Sequence, residues 1–136
     1  MKKQLLLLIL ILLPMVASAH DIEVQNADGV TIYYNYINNN TELEVTYRGS
    51  SYSSYTNRYA GNVVIPMEVP FGDTTYKVTR IANSAFRFCS SLISVTIGSC
   101  VTSIGERAFD ICNGLNSITI PNCVTNIGSY AFSYCI

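Results

Sequence analysis

The chain has 136 residues, of which 49 % are hydrophobic and only 12 % charged, with a formal net charge of −1. Without Lys2 and Lys3, six basic and nine acidic side chains remain, a balance near −3. That excludes the basic patch that nucleic acid or an anionic membrane surface requires.

Met1-Lys2-Lys3 precedes an unbroken apolar run from Leu5 to Leu13, and small residues follow at Ala17-Ser18-Ala19. This is the grammar of a secretory signal peptide over residues 1–19, too short to span a bilayer. Cleavage after Ala19 would begin the mature chain at His20. The expected location is therefore outside the cell, secreted or on a bacterial cell surface, with no membrane insertion after cleavage.

Residues 20–77 hold eight of the ten tyrosines. Val30, Ile32, Tyr34 and Tyr36 alternate onto one face of a strand, and Leu43, Val45 and Tyr47 onto one face of a second. Asn38-Asn39-Asn40 forms the turn between them. Residues 50–59 are polar and aperiodic, which predicts a loop carrying Tyr52, Tyr55 and Tyr59. Val63-Val64-Ile65-Pro66 aligns with Ile118-Thr119-Ile120-Pro121 as a degenerate first strand. A second hairpin is expected over residues 69–78, turning at Gly72-Asp73. The sequon Asn39-Asn40-Thr41 is a short pattern that occurs often by chance.

From Val78 the chain repeats. Residues 78–100 and 101–123 are identical at 11 of 23 positions, and the partial copy 124–136 matches the second at 7 of 13. Leu92-x-x-Val95-x-Ile97-x-x-Cys100 and Leu115-x-x-Ile118-x-Ile120-x-x-Cys123 follow the leucine-rich-repeat pattern, L-x-x-L-x-L-x-x-N/C. Alternation turns Val95 and Ile97 inward, and Ser94 and Thr96 outward. Val101, Ile104, Ala108, Phe109 and Cys112 have helical spacing, which predicts a short helix or tight helical turn on the other side, kept short because Gly105 and Gly128 interrupt it on the N-terminal side. Phe86, Phe109 and Phe132 should stack in a column. Coils of this kind bury their apolar faces only against each other. The expected fold is thus a leucine-rich-repeat solenoid of 23-residue coils, with a parallel sheet on one face and short helical turns on the other. Residues 20–77 would form an N-terminal β cap over its end.

The five cysteines recur at gaps of 11, 12, 11 and 12, so they follow the repeat. Equivalent residues in stacked strands lie about 4.8 Å apart with parallel Cβ vectors, a poor geometry for a disulfide. Cys89, Cys100, Cys112 and Cys123 read as buried thiols, and Cys135, in the last coil, as the thiol open to reagents.

The stretches "VTSIGERAF", "VTNIGSYAF" and Cys112 to Pro121 resemble the BspA-like leucine-rich-repeat family of bacterial surface and secreted proteins. So do the lead-in "LEVTYRGSSYSSYTNRYAGNVVIP" and "TTYKVTRI". The resemblance covers about residues 30–136. It implies adhesion to host proteins, matrix or other cells, and it carries no catalytic residues. Family members usually have more repeats, so a truncated or vestigial fragment is the alternative. Another is a protein that stacks on a second copy through its C-terminal edge.

His20 is the one histidine, and no H-E-x-x-H, G-x-S-x-G or phosphate-loop motif occurs, so no enzyme is expected. No C-x-x-C occurs either, which argues against zinc, and no cofactor is implied. A protein ligand is the expected partner. Its candidate contacts are Ser94, Thr96, Ser117 and Thr119 on the strand face with Asn116 beside them, and Tyr52, Tyr55 and Tyr59 in the loop. Glu106, Arg107 and Asp110 occur in one repeat only and read as solvated charges.

Overall fold

A computed structural model of the chain describes residues 20–49, 51–52 and 59–136. The signal-peptide reading of residues 1–19, and Tyr55, lie outside the described residues.

Ten strands follow in chain order: β1 (Ile22–Gln25), β2 (Thr31–Ile37), β3 (Glu42–Thr46), β4 (Gly61–Val64), β5 (Glu68–Phe71), β6 (Thr74–Ile81), β7 (Leu92–Thr96), β8 (Ser103–Ile104), β9 (Ser117–Thr119) and β10 (Asn126–Ile127). They form two sheets. The larger runs β1-β2-β3-β6-β8-β10 with β5 paired beside β6, and the smaller runs β4-β7-β9.

The hairpin of β2 and β3 turns at Asn38-Asn39-Asn40, all three left-handed, at φ of 50°, 57° and 61°. Asparagine tolerates that region because its short amide bonds locally. Ile32, Tyr34, Leu43 and Val45 point into the core. Strand β1, antiparallel to β2, has no counterpart in the sequence reading. Its four residues are too few to show an alternation. The second hairpin turns at Gly72-Asp73 as expected, between β5 and β6.

In the smaller sheet, Val63 pairs with Val95 and Val95 with Ile118, all parallel, so Val63–Pro66 does occupy the position of a first repeat strand. Ser94 pairs with Ser117 and Thr96 with Thr119, residues 23 apart. The same offset recurs in the larger sheet, where Arg80 pairs with Ser103 and Ser103 with Asn126. This second parallel ladder was not expected, since Ile104 had been placed on a helical face.

No helix is present among the described residues, which corrects the helical reading of the turn side. The chain instead makes successive turns closed by bonds of three-residue span, such as Ala108 N–H to the Gly105 carbonyl at 3.3 Å. Ser84, Arg107 and Tyr130, and four residues later Phe88, Ile111 and Tyr134, have φ between 53° and 64°. A left-handed residue every four positions stops a right-handed helix from propagating. The freed donors bond to carbonyls of the following repeat. Ser84, Phe86 and Phe88 donate to the carbonyls of Glu106, Ala108 and Asp110, and Arg107, Phe109 and Ile111 to those of Ser129, Ala131 and Ser133, at 2.7–3.0 Å. The turns of one repeat are hydrogen-bonded to those of the next as strands would be, so these six donors are satisfied without a helix.

Between the two sheets and the turns lies an aromatic stack. Phe86 and Phe109 have ring centroids 4.8 Å apart at 10°, and Phe109 and Phe132 5.3 Å apart at 5°. Tyr59 extends the column onto Phe86 at 4.5 Å.

All five cysteines are free thiols. Cys89 and Cys112 are buried, whereas Cys100 and Cys123 are half-buried, as is Cys135, rather than fully enclosed. Cys112 Sγ donates to the Phe86 carbonyl and Cys135 Sγ to the Phe109 carbonyl, each at 3.0 Å, one coil apart. Cys123 Sγ donates to the Val101 carbonyl at 3.1 Å. Burial raises the Cys112 thiol far above its ordinary range, and raises Cys135 as well. The expected result is that a disulfide reagent at pH 8 leaves Cys89 and Cys112 unmodified until urea unfolds the chain, with labelled sites located by peptide mass.

Stability should also fall in alkali. Burial favours the neutral forms of Cys112, Tyr34 and Tyr59. The unfolded chain releases these protons first, from about pH 8.5 for the thiol and about pH 10 for the phenols. Their contribution is therefore complete below about pH 8.5 and declines as pH rises. The urea midpoint at pH 10 should lie below that at pH 7, and an equal or higher midpoint would contradict this account.

Candidate recognition surface

The outward face of β4-β7-β9 is built by strand alternation. Val63, Val95 and Ile118 turn inward, and two rows face out across the strands. One row is Asn62, Ser94 and Ser117, and the other is Val64, Thr96 and Thr119. Thr96, Ser117 and Thr119 are exposed, and Ser94 is half-buried because its Oγ donates to Asn62 Oδ1 at 2.8 Å. Asn116 is exposed before β9, and its N–H donates to the Ile93 carbonyl at 2.9 Å. Ile93 itself stands 48 % exposed. None of these side chains is charged. The structure thus brings Ser94, Thr96, Asn116, Ser117 and Thr119 together with the exposed Val64 and Ile93 on neighbouring strands.

The tyrosines separate. Tyr52 is 37 % exposed. Its ring stacks on Phe88 at 6.3 Å and meets Tyr47 edge-on. Tyr59 is 4 % exposed and is not a surface residue, which corrects its assignment as a binding contact. Its hydroxyl donates to the Thr46 carbonyl at 2.7 Å and accepts from the Tyr33 N–H at 3.1 Å. Nothing in the repeat phase marks this role, because Tyr59 lies four residues before Val63 whereas Phe86 lies nine before Val95.

Asp110 is likewise not a solvated charge. It is 4 % exposed, and Arg87 Nε donates to its Oδ2 at 2.9 Å. The signal was present, since 87 and 110 differ by one repeat length. Arg107 pairs with Glu106 at 3.4 Å and lies over the Tyr130 ring at 5.2 Å. Tyr130 and Tyr134, 64 % and 70 % exposed, were not singled out by the sequence. Among the described residues no cluster of three or more His, Cys, Asp or Glu could hold a metal ion.

Known proteins share the repeat and the fold. Residues 72–136 match the model of the BspA type leucine-rich repeat region, in six copies. No curated protein matches the sequence. Among solved structures, the chain is similar to a leucine-rich repeat protein from Bacteroides ovatus, at 34 % identity and a TM-score of 0.66 over 76 % of this chain and 26 % of that one. It is similar to the T. pallidum leucine-rich repeat protein at 29 % identity and 0.61, over 76 % and 43 %. It is also similar to a leucine-rich cell surface protein from Faecalibacterium prausnitzii at 28 % and 0.59, over 85 % and 28 %. The chain therefore spans less than half the length of each of these three.

Proposed function

We propose that this chain, whose residues 72–136 belong to the BspA-type leucine-rich repeat family, is a secreted or cell-surface protein-recognition module, without catalysis, that serves in adhesion to host proteins, matrix or other cells. The reading takes the two parallel ladders and the bonded turns as three sides of a solenoid of 23-residue coils. Residues 20–77 then act as its cap, with β3 paired to β6 closing one end. The observation that carries the function is the uncharged three-strand face formed by β4, β7 and β9. Such a face offers hydrogen-bonding groups at little desolvation cost compared with charges, and it has no net field to repel a partner of either sign. The surface label on the Faecalibacterium neighbour agrees in location.

The test is capture by a panel of immobilised extracellular-matrix proteins. The double variant Ser117→Lys/Thr119→Lys places two ammonium groups on the face and should abolish capture while leaving the circular dichroism unchanged. Retained capture by that variant would remove the face from the function.

Self-association is a second reading. Ile120, at the end of the second repeat, and Ile127, in the third, are exposed and Phe132 is half-buried, so these residues offer apolar surface to a second copy. Sedimentation that is independent of concentration would end it.

A further inference from the structure

A second surface lies on the turn side, away from the strand face. Arg87, Arg107, Asp110, Ile111, Tyr130, Ser133 and Tyr134 line a cavity of about 340 Å³, within the range of small-ligand sites, about 300–1,000 Å³. Its floor is the Arg87–Asp110 pair. One bond joins them, from Nε to Oδ2, and neither side chain makes another hydrogen bond among the described residues. Asp110 Oδ1 and the Arg87 Nη groups therefore keep their acceptor and donor capacity. Arg87 is held in place by two rings, with its guanidinium carbon 4.8 Å from both Tyr52 and Phe88. The walls are the exposed rings of Tyr130 and Tyr134, with the Ser133 hydroxyl between them in sequence.

We propose that this cavity binds a neutral pyranose ring of a glycan. Each wall and floor group has a counterpart on such a ring. The C–H face of a pyranose is apolar and stacks on a phenol ring. Neighbouring hydroxyls each donate and accept, so one donates to Asp110 Oδ1 while the next accepts from Arg87 Nη. The floor charges cancel within the ion pair, and Glu106 offsets Arg107, so neither an anion nor a cation is favoured. A proline-rich peptide would also stack on the tyrosines, but proline has no N–H and leaves Oδ1 without a donor.

The chain contains ten tyrosines and no tryptophan, so the report on the walls comes from aromatic NMR signals assigned to Tyr130 and Tyr134. The probes are the methyl glycosides of glucose, galactose and mannose, and N-acetylglucosamine, each titrated to high millimolar concentration. At least one should shift the Tyr130 and Tyr134 ring signals saturably. Asp110→Asn should weaken that binding about tenfold, the size of one lost charge-assisted hydrogen bond. Tyr134→Ala removes a largely exposed ring, leaves the core intact, and should weaken binding at least as much. It decides the matter alone if Asp110→Asn fails to fold. Absence of ring shifts with all four sugars overturns the proposal, as does binding unchanged by Tyr134→Ala. Preference for a proline-rich peptide over every sugar overturns it too. Ser117→Lys/Thr119→Lys should leave sugar binding untouched, so failure here and failure of the strand-face reading are separate results.

Discussion

Phe109→Ala should lower the free energy of unfolding by about 3–5 kcal/mol, the range for removing a large buried ring. Phe109 is completely buried between two parallel neighbours, Phe86 at 4.8 Å and Phe132 at 5.3 Å. Truncation loses the transfer energy of the ring and both stacking contacts. It also leaves a void bounded by coils that cannot collapse, because Phe109 N–H is tied to the Ala131 carbonyl at 2.7 Å and Phe86 N–H to the Ala108 carbonyl at 2.7 Å. A domain of this size has about 5–15 kcal/mol in total, so the loss is a large fraction of the whole and the urea midpoint should fall well below that of the parent. Phe132→Ala should cost distinctly less, since Phe132 is half-buried and stacks on one side. Urea unfolding followed by far-ultraviolet circular dichroism compares the two. Equal losses would mean that the stack is not the core of the coils.

Gly105→Ala should cost about 1–3 kcal/mol by overpacking alone. A Cβ at Gly105 would lie 2.5 Å from the Asn83 backbone nitrogen and 2.7 Å from the Ala82 carbonyl carbon. A Cβ at Gly128, one repeat later, would lie 2.5 Å from the Glu106 nitrogen. These are backbone atoms held by bonds between coils, including Gly105 N–H to the Ile81 carbonyl at 2.8 Å and Glu106 N–H to Asn83 Oδ1 at 2.8 Å. They cannot withdraw without opening the stack. Ala82 stands at the same phase one coil earlier and carries its methyl, because its neighbour is β3: its N–H donates to the Val45 carbonyl at 2.8 Å. Ala82→Gly is therefore the control, with an expected loss of no more than about 1 kcal/mol. A Gly105→Ala protein as stable as the parent would show that the coil spacing is looser than the close approach requires.

The glycines also show where sequence reasoning reached the right place for a different reason. Gly105 and Gly128 were read as helix interruptions, yet their role is the close approach of neighbouring coils. The apolar spacing of Val101, Ile104, Ala108, Phe109 and Cys112 was likewise real, and Val101, Ile104, Ala108, Phe109 and Cys112 are all buried. A pattern of inward residues does not distinguish a helix from consecutive turns. What separates them is the sign of φ at Arg107 and Ile111, and neither residue type advertises a left-handed conformation.

The sequence by itself determined the repeat length, the register and the inward columns. The period of 23 in the sequence is also the offset at which residues meet, as Val95 with Ile118 and Arg87 with Asp110 show. It also placed Ser94, Thr96, Ser117 and Thr119 together on one face, because strand alternation is a local rule. Only the tertiary structure decided that Tyr59 leaves the surface to cap the phenylalanine stack. It likewise decided that Tyr130 and Tyr134 wall a cavity with Arg87. Those outcomes depend on contacts between segments that share no period, or on the direction a turn gives a side chain. Local propensity carries no information about either.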